Sequence, residues 1–149
     1  MKSAGILLHR RRNGALEVLL AHPGGPFWAR RDDGAWTIPK VLVDAGESDE
    51  AAARREFREE LGADPVGTLV PLGSIRQRGG KHVEAFALEG DFDVAALRSN
   101  TFETEWPPRS GRRHAFPEVD RVAWMDLATA RVKMLDAQRP LLDRLEALA

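Results

Sequence analysis

The sequence predicts an α/β domain, a mixed β-sheet with helices packed on its faces. Three observations support that expectation. Short apolar runs of strand length open the chain and recur between residues 66 and 125, a strongly helical segment interrupts them at residues 48–62, and a leucine-rich segment closes the chain after residue 136. Strand-type segments on both sides of a central helix bury their apolar faces when helices cover the sheet. The 149 residues fit one domain over 1–149, since a single core commonly organises about 100 to 200 residues. No internal repeat, low-complexity tract or linker divides it.

Residues 3–9 and 16–21 are apolar runs joined through Arg10-Arg11-Arg12-Asn13-Gly14-Ala15, and Asn-Gly is a strong hairpin signal. The three arginines read as a solvated turn rather than as phosphate ligands. Next comes a stretch with Pro23, Gly24, Gly25 and Pro26, then Phe27, Trp28, Arg30 and Arg31, which has the composition of a loop. Trp28 beside cations suits stacking on a base. Phe27 and Trp28 serve equally well as plugs onto the core. Trp36-Thr37-Ile38-Pro39 is extended, because a residue before proline is pushed out of the helical region, and it leads into Lys40 and a short segment over residues 41–46.

Ser48 then suits an N-cap, and Gly62 a helix stop. Ala51, Ala52 and Ala53 favour helix by propensity, while Ala52, Phe57 and Leu61 form an inward stripe. Residues 66–77 and 82–88 make a second hairpin across Arg78-Gly79-Gly80-Lys81, and residues 93–98 make one brief helical turn. Residues 101–106 alternate like a strand, and Pro107-Pro108-Arg109-Ser110-Gly111 begins an exposed loop. Another strand spans residues 119–125. Asp126 is expected to cap a helix starting near Leu127, and Asp136 a final helix with Leu141, Leu142, Leu145 and Leu148 on its apolar face.

Apolar residues make up 43% of the chain and charged residues 30%, which argues against disorder. With 22 basic and 23 acidic residues the formal net charge is −1, so no global attraction to nucleic acid or anionic membrane is expected. The absence of cysteine excludes disulfides, thiolate nucleophiles and Cys-ligated metal centres. Residues 4–8 are too short for a signal or membrane segment, so a cytoplasmic location is expected.

Glu56, Glu59 and Glu60 stand at i, i+3 and i+4, which puts three carboxylates on one helix face, one turn apart. Like charges so placed repel, and a solvated acidic face is the plain alternative. With Glu47 upstream and a breaker-rich approach, the group suits a hard cation, and its oxygen donors fit magnesium or manganese better than zinc or copper. His9, His22, His82 and His114 are scattered without metal-ligand spacing, and the sequence has no Walker-type phosphate loop.

These residues resemble the box of the Nudix hydrolases, G-x5-E-x7-R-E-U-x-E-E-x-G-U with U a bulky apolar residue. Without gaps, residues 41–63 supply Glu47, Arg55, Glu56, Phe57, Glu59, Glu60 and Gly62 at the matching places. Residues 36–40, the run Phe116-Pro117-Glu118-Val119 with Trp124, and Gln138 near the closing helix also resemble Nudix segments. Two positions depart from the box. Ala63 is smaller than usual, and Val41 replaces the first glycine, where a β-branched residue disfavours positive φ and close backbone approach.

The resemblance implies an α/β/α sandwich and a divalent-metal-dependent pyrophosphohydrolase using Mg2+ or Mn2+. It implies that Glu56, Glu59 and Glu60 ligate the metal with the Lys40 carbonyl, that Glu59 or Glu60 orients the attacking water, and that Glu47 and Arg55 form a supporting ion pair. Some relatives take the base from another loop; Glu84, Glu103, Glu105 and Glu118 are candidates, with Glu103 and Glu105 preferred because Arg109, Arg112, Arg113 and His114 follow. Trp28, Lys40, Arg112, Glu103 and Glu105 form the expected substrate-binding set. The expected substrate is a nucleoside diphosphate linked to another group, with a nucleoside triphosphate or dinucleoside polyphosphate favoured. A non-catalytic nucleotide-sensing domain is the alternative, motivated by Val41. An RNA-end pyrophosphohydrolase is disfavoured by the neutral net charge. A homodimer is an expectation from family analogy.

Overall fold

The computed structural model describes residues 2–148. Two long strands open the chain, β1 (Lys2–Arg12) and β2 (Ala15–Pro23), followed by the short β3 (Lys40–Leu42) and helix α1 (Asp49–Leu61). A second antiparallel pair, β4 (Val70–Gln77) and β5 (Lys81–Glu89), precedes the ribbon of β6 (Thr101–Glu105) and β7 (Arg113–Pro117). Strand β8 (Val119–Asp126) and helices α2 (Leu127–Lys133) and α3 (Pro140–Leu148) complete the chain.

The main sheet runs β4-β5-β1-β2-β8, with β3 also paired to β1. It is mixed, since β1 lies parallel to β5 and antiparallel to β2 and β3. The period-two alternation of β1 explains how the sheet separates two cores. Leu7 joins Val18, Leu20, Met134, Leu141 and Leu145 on the face covered by α2 and α3. Ile6 and Leu8 point the other way and pack with Ala52, Phe57 and Leu61 of α1. This is the helix–sheet–helix arrangement expected from the strand and helix pattern.

Local signals explain most boundaries. The Ser48 side chain accepts from Ala51 N at 3.1 Å, and Gly62 closes α1 at φ 79°. Asp126 caps α2 by accepting from Thr129 N at 2.7 Å. Two expectations need correction. Asp136 opens only a 3-10 turn, Asp136–Gln138, and α3 starts at Pro140, whose missing N–H and fixed φ suit a first helical turn. The segment after Gly111, expected as a loop, contains β7, which β6 stabilises by pairing along its whole length from Thr101↔Pro117 to Glu105↔Arg113.

Candidate active site

Helix α1 carries the acidic face. Glu56 and Glu60 are buried although charged residues rarely are, with 3% and 8% exposure. They line a cleft of about 110 Å³ with Lys40, Pro39, Glu118 and Val119. Burial is the main cause that raises the Glu56 carboxyl well above the carboxylate range, and Glu60, Glu59 and Glu118 add to it by repulsion. Burial also raises Glu60, which accepts from Ser99 Oγ at 3.4 Å. Lys40 is lowered, first by burial and then by Lys81, against the raising effect of Glu56.

Glu59 points elsewhere. Both its oxygens lie 3.4 Å from Arg55 Nη1. Arg55 also donates from Nε and Nη2 to the two oxygens of Glu47, at 2.9 and 3.0 Å, and from Nη2 to Leu42 O at 3.2 Å. The Glu47 carboxyl, hydrogen-bonded by Arg55 and by Asp44 N, is held at about 2. The expected ion pair therefore exists in bidentate form and ties the end of β3 and the turn after it to α1.

Two close approaches position Lys40 and Glu118. A side chain at Gly5 would meet Pro39 O at 2.3 Å, so glycine lets β1 lie against the Pro39–Lys40 backbone. A side chain at Gly24 would meet Pro117 O at 1.8 Å, and Gly24 N donates to Glu118 O at 2.9 Å. Ser99 Oγ accepts from Val119 N at 2.9 Å. The Gln138 side chain is fully buried; its Oε1 accepts from Ile38 N at 3.0 Å, two residues before Lys40.

Val41 stands in the short strand β3. It lies opposite Ala4, packs against the α1-side core and is not among the described residues with positive φ. Extended backbone suits a β-branched side chain. Ala63 packs at the edge of the same core.

A second cleft, about 420 Å³, adjoins the acidic one and shares Pro23 and Glu118 with it. Phe27, Trp28, Phe102 and Trp106 line it, together with Glu105. Arg31 stacks 4.4 Å from the Phe27 ring centroid and 5.5 Å from that of Trp28. Of the expected substrate-binding set, Trp28, Lys40 and Glu105 line these clefts. Glu103 and Arg112 line neither: Glu103 faces solvent on the β6–β7 ribbon, and Arg112 is exposed at the ribbon's tip. Among the four candidate extra carboxylates, Glu118 is the one beside Glu56 and Glu60. Glu105, preferred on sequence, accepts from Arg109 N at 2.6 Å and stabilises the ribbon's turn.

The donors fit a hard divalent cation. Burial raises the affinity of both Glu56 and Glu60 for a proton, Glu118 raises both further, and oxygen ligands suit magnesium or manganese. Among the described residues, no three acidic or histidine side chains form a ready-made ligand set, in keeping with Glu59 turned towards Arg55. No described helix is long and apolar enough to cross a membrane.

Comparison with known proteins identifies the family and the fold. The NUDIX domain family model matches residues 1–145. The chain is 41% identical over 66 residues to an RNA pyrophosphohydrolase of Caulobacter vibrioides, covering 41% of this chain and 38% of that protein, well under half of the relative's length. It is 29% identical over 140 residues to an RNA pyrophosphohydrolase of Rhodospirillum rubrum, covering 91% of this chain and 85% of the relative. Its fold is similar to that of a C. elegans Ap4A hydrolase in a binary complex, with TM-score 0.69, 23% identity, and 98% and 96% of the two chains covered.

Proposed function

The chain belongs to the Nudix family, and from that premise we propose that it is a divalent-metal-dependent hydrolase of phosphoric anhydrides, cleaving a nucleoside diphosphate linked to another group. One observation carries the reading: a cleft with the buried carboxyls of Glu56 and Glu60, both raised by burial, opens through Glu118 into an aromatic pocket. The first half suits cations and polyphosphate, the second an uncharged flat group such as a base.

The residues divide the work. Glu56, Glu59, Glu60 and the Lys40 carbonyl would hold magnesium or manganese, and Glu59 would leave Arg55 to do so. A bound divalent cation supplies charge that neutralises the phosphate oxygens and leaving group and acidifies a nearby water. Glu60 or Glu118 accepts the proton of the attacking water; both line the cleft, Glu60 from α1 and Glu118 from the link between β7 and β8. Phe27 and Trp28 wall the base, while Arg55 and Glu47 fix the end of β3 and the turn after it against α1.

A nucleoside triphosphate or dinucleoside polyphosphate remains the favoured class, since a small acidic cleft joined to a larger aromatic one suits a polyphosphate with a base at its end. The similarity to two RNA pyrophosphohydrolases supports a second reading, a triphosphorylated RNA end, for which exposed arginines on the β6–β7 ribbon offer local positive charge. The test is a substrate panel with Mg2+ and Mn2+: nucleoside triphosphates, dinucleoside polyphosphates, ADP-ribose, sugar nucleotides and a 5′-triphosphorylated oligonucleotide. Preferred turnover of free nucleotides upholds the first reading; preferred turnover of the RNA, weakening steeply with salt, upholds the second. Nucleotide binding without turnover of anything would replace both with a sensing domain.

A further inference from the structure

His22 lines neither cleft, yet it is fully buried at the end of β2 between two acceptors. Its Nδ1 lies 2.8 Å from Asp120 Oδ1 and its Nε2 lies 2.6 Å from Arg31 O. A carboxylate and a carbonyl only accept, and a neutral imidazole has one N–H. Only the doubly protonated ring donates to both. Buried this deeply, an unpartnered ring nitrogen facing an oxygen would be costly, so the two contacts together specify the imidazolium.

The β2–β8 pairing explains how Asp120 reaches the ring. The register steps from His22↔Arg121 to Pro23↔Val119, leaving Asp120 as the extra residue of a β-bulge. Bulges re-aim side chains and recur beside active sites. Here the bulge sits two residues after Glu118. At the other end, Arg31 belongs to the aromatic loop, with its guanidinium over Phe27 and Trp28. Trp36 meets the His22 ring edge-on at 5.2 Å, with Arg121 stacked 5.3 Å from its centroid. Asp32 accepts from Trp36 Nε1 and pairs with Lys133. The imidazolium therefore has Asp120 as its direct counter-charge, while Arg121 and Asp32 act across the indole.

We propose that His22 is a positioning residue, an imidazolium clamp that fastens the aromatic loop through Arg31 O to the bulged strand through Asp120. It sets the Phe27–Trp28 wall relative to Glu118, and so governs affinity for the base-bearing part of the ligand. The inference rests on reading that wall as the base site. The protonation of the clamp can be tested without any turnover.

In the full chain with 15N-labelled histidine, NMR at neutral pH is expected to show protons on both ring nitrogens of His22; one bare nitrogen overturns the clamp. Calorimetry in Mg2+ then compares His22→Gln with the wild type. The amide side chain can donate to only one of the two acceptors along the original path. The affinity for ATP should fall about tenfold, the effect of losing one charge-assisted hydrogen bond, while the affinity for inorganic tripolyphosphate, which has no base, should hold within about twofold. Equal losses for both ligands, or no loss for either, contradict the positioning role. If the variant does not fold, the NMR result on the wild type still decides the protonation state. Failure of the wild type to bind any nucleotide would overturn the proposed function separately from the clamp.

Discussion

Arg55 donates to both oxygens of Glu47, at 2.9 and 3.0 Å, while its remaining nitrogen faces Glu59. The guanidinium thus joins the turn after β3 to the acidic face of α1. A lysine has no planar fork and makes no bidentate pair. Arg55→Lys and Glu47→Gln should each weaken Mg2+ affinity by about 10- to 100-fold, the usual cost of losing a partner that orients metal ligands. Calorimetric Mg2+ titration measures this, and unchanged affinity in both variants would make the pair a surface contact.

Stability of the metal-free protein should fall as pH rises. The Glu56 carboxyl is raised in the folded chain, so its contribution is fully present below the ordinary 4.5 and is lost as pH rises through the folded value. Glu60 is shifted the same way. Glu47 behaves oppositely: its contribution is present above 4.5 and is lost as pH falls towards about 2. Thermal unfolding in chelator from about pH 5.5 to about pH 8.5 should show Tm declining, less steeply in Glu56→Gln, with Mg2+ restoring more Tm at the upper end. Parallel Tm profiles for the two proteins would contradict the buried-carboxylate account.

Restoring glycine at Val41 should bring no gain. Val41 occupies extended backbone in β3 opposite Ala4, where glycine removes packing and adds freedom to the unfolded chain. Val41→Gly is expected to leave kcat within about twofold and to cost about 0.5–1 kcal/mol of stability. A tenfold rise in kcat would show that the valine suppresses turnover.

Trp28→Ala should raise KM for a nucleotide by about tenfold, within the range of a lost base–aromatic stack, with a smaller change in kcat. Parallel measurements on a ligand without a base should show little change. A loss confined to kcat would place Trp28 outside the base site.

Much of this was legible locally. The α1 caps at Ser48 and Gly62 and the Glu56–Glu59–Glu60 face follow from spacing within one helix, which sequence periodicity reports, while the Glu47–Arg55 pairing was implied by the resemblance to the Nudix box. Glu118 ranked behind Glu103 and Glu105 on sequence; the β2–β8 register and the Gly24 contact bring it to α1 from a distant part of the chain. The preference for Glu103 and Glu105 followed nearby arginines; Glu103 lies exposed on the ribbon, and Glu105 accepts from Arg109 N at its turn. His22 was unremarkable as an isolated histidine; its partner Asp120 is set by a bulge that no local pattern announces. The signal for β7 was equally nonlocal, since its strand character comes from pairing with β6.

The central claim is that the buried carboxylates of α1 hold a cation for hydrolysis. The most direct measurement is Mg2+-dependent release of phosphorylated product from the best substrate of the panel, comparing wild type with Glu60→Gln after both are confirmed folded. The account predicts turnover that requires the metal in the wild type and falls by at least about 100-fold in the variant, the scale of losing a positioned acid–base group. Turnover that survives both chelation and Glu60→Gln would contradict it.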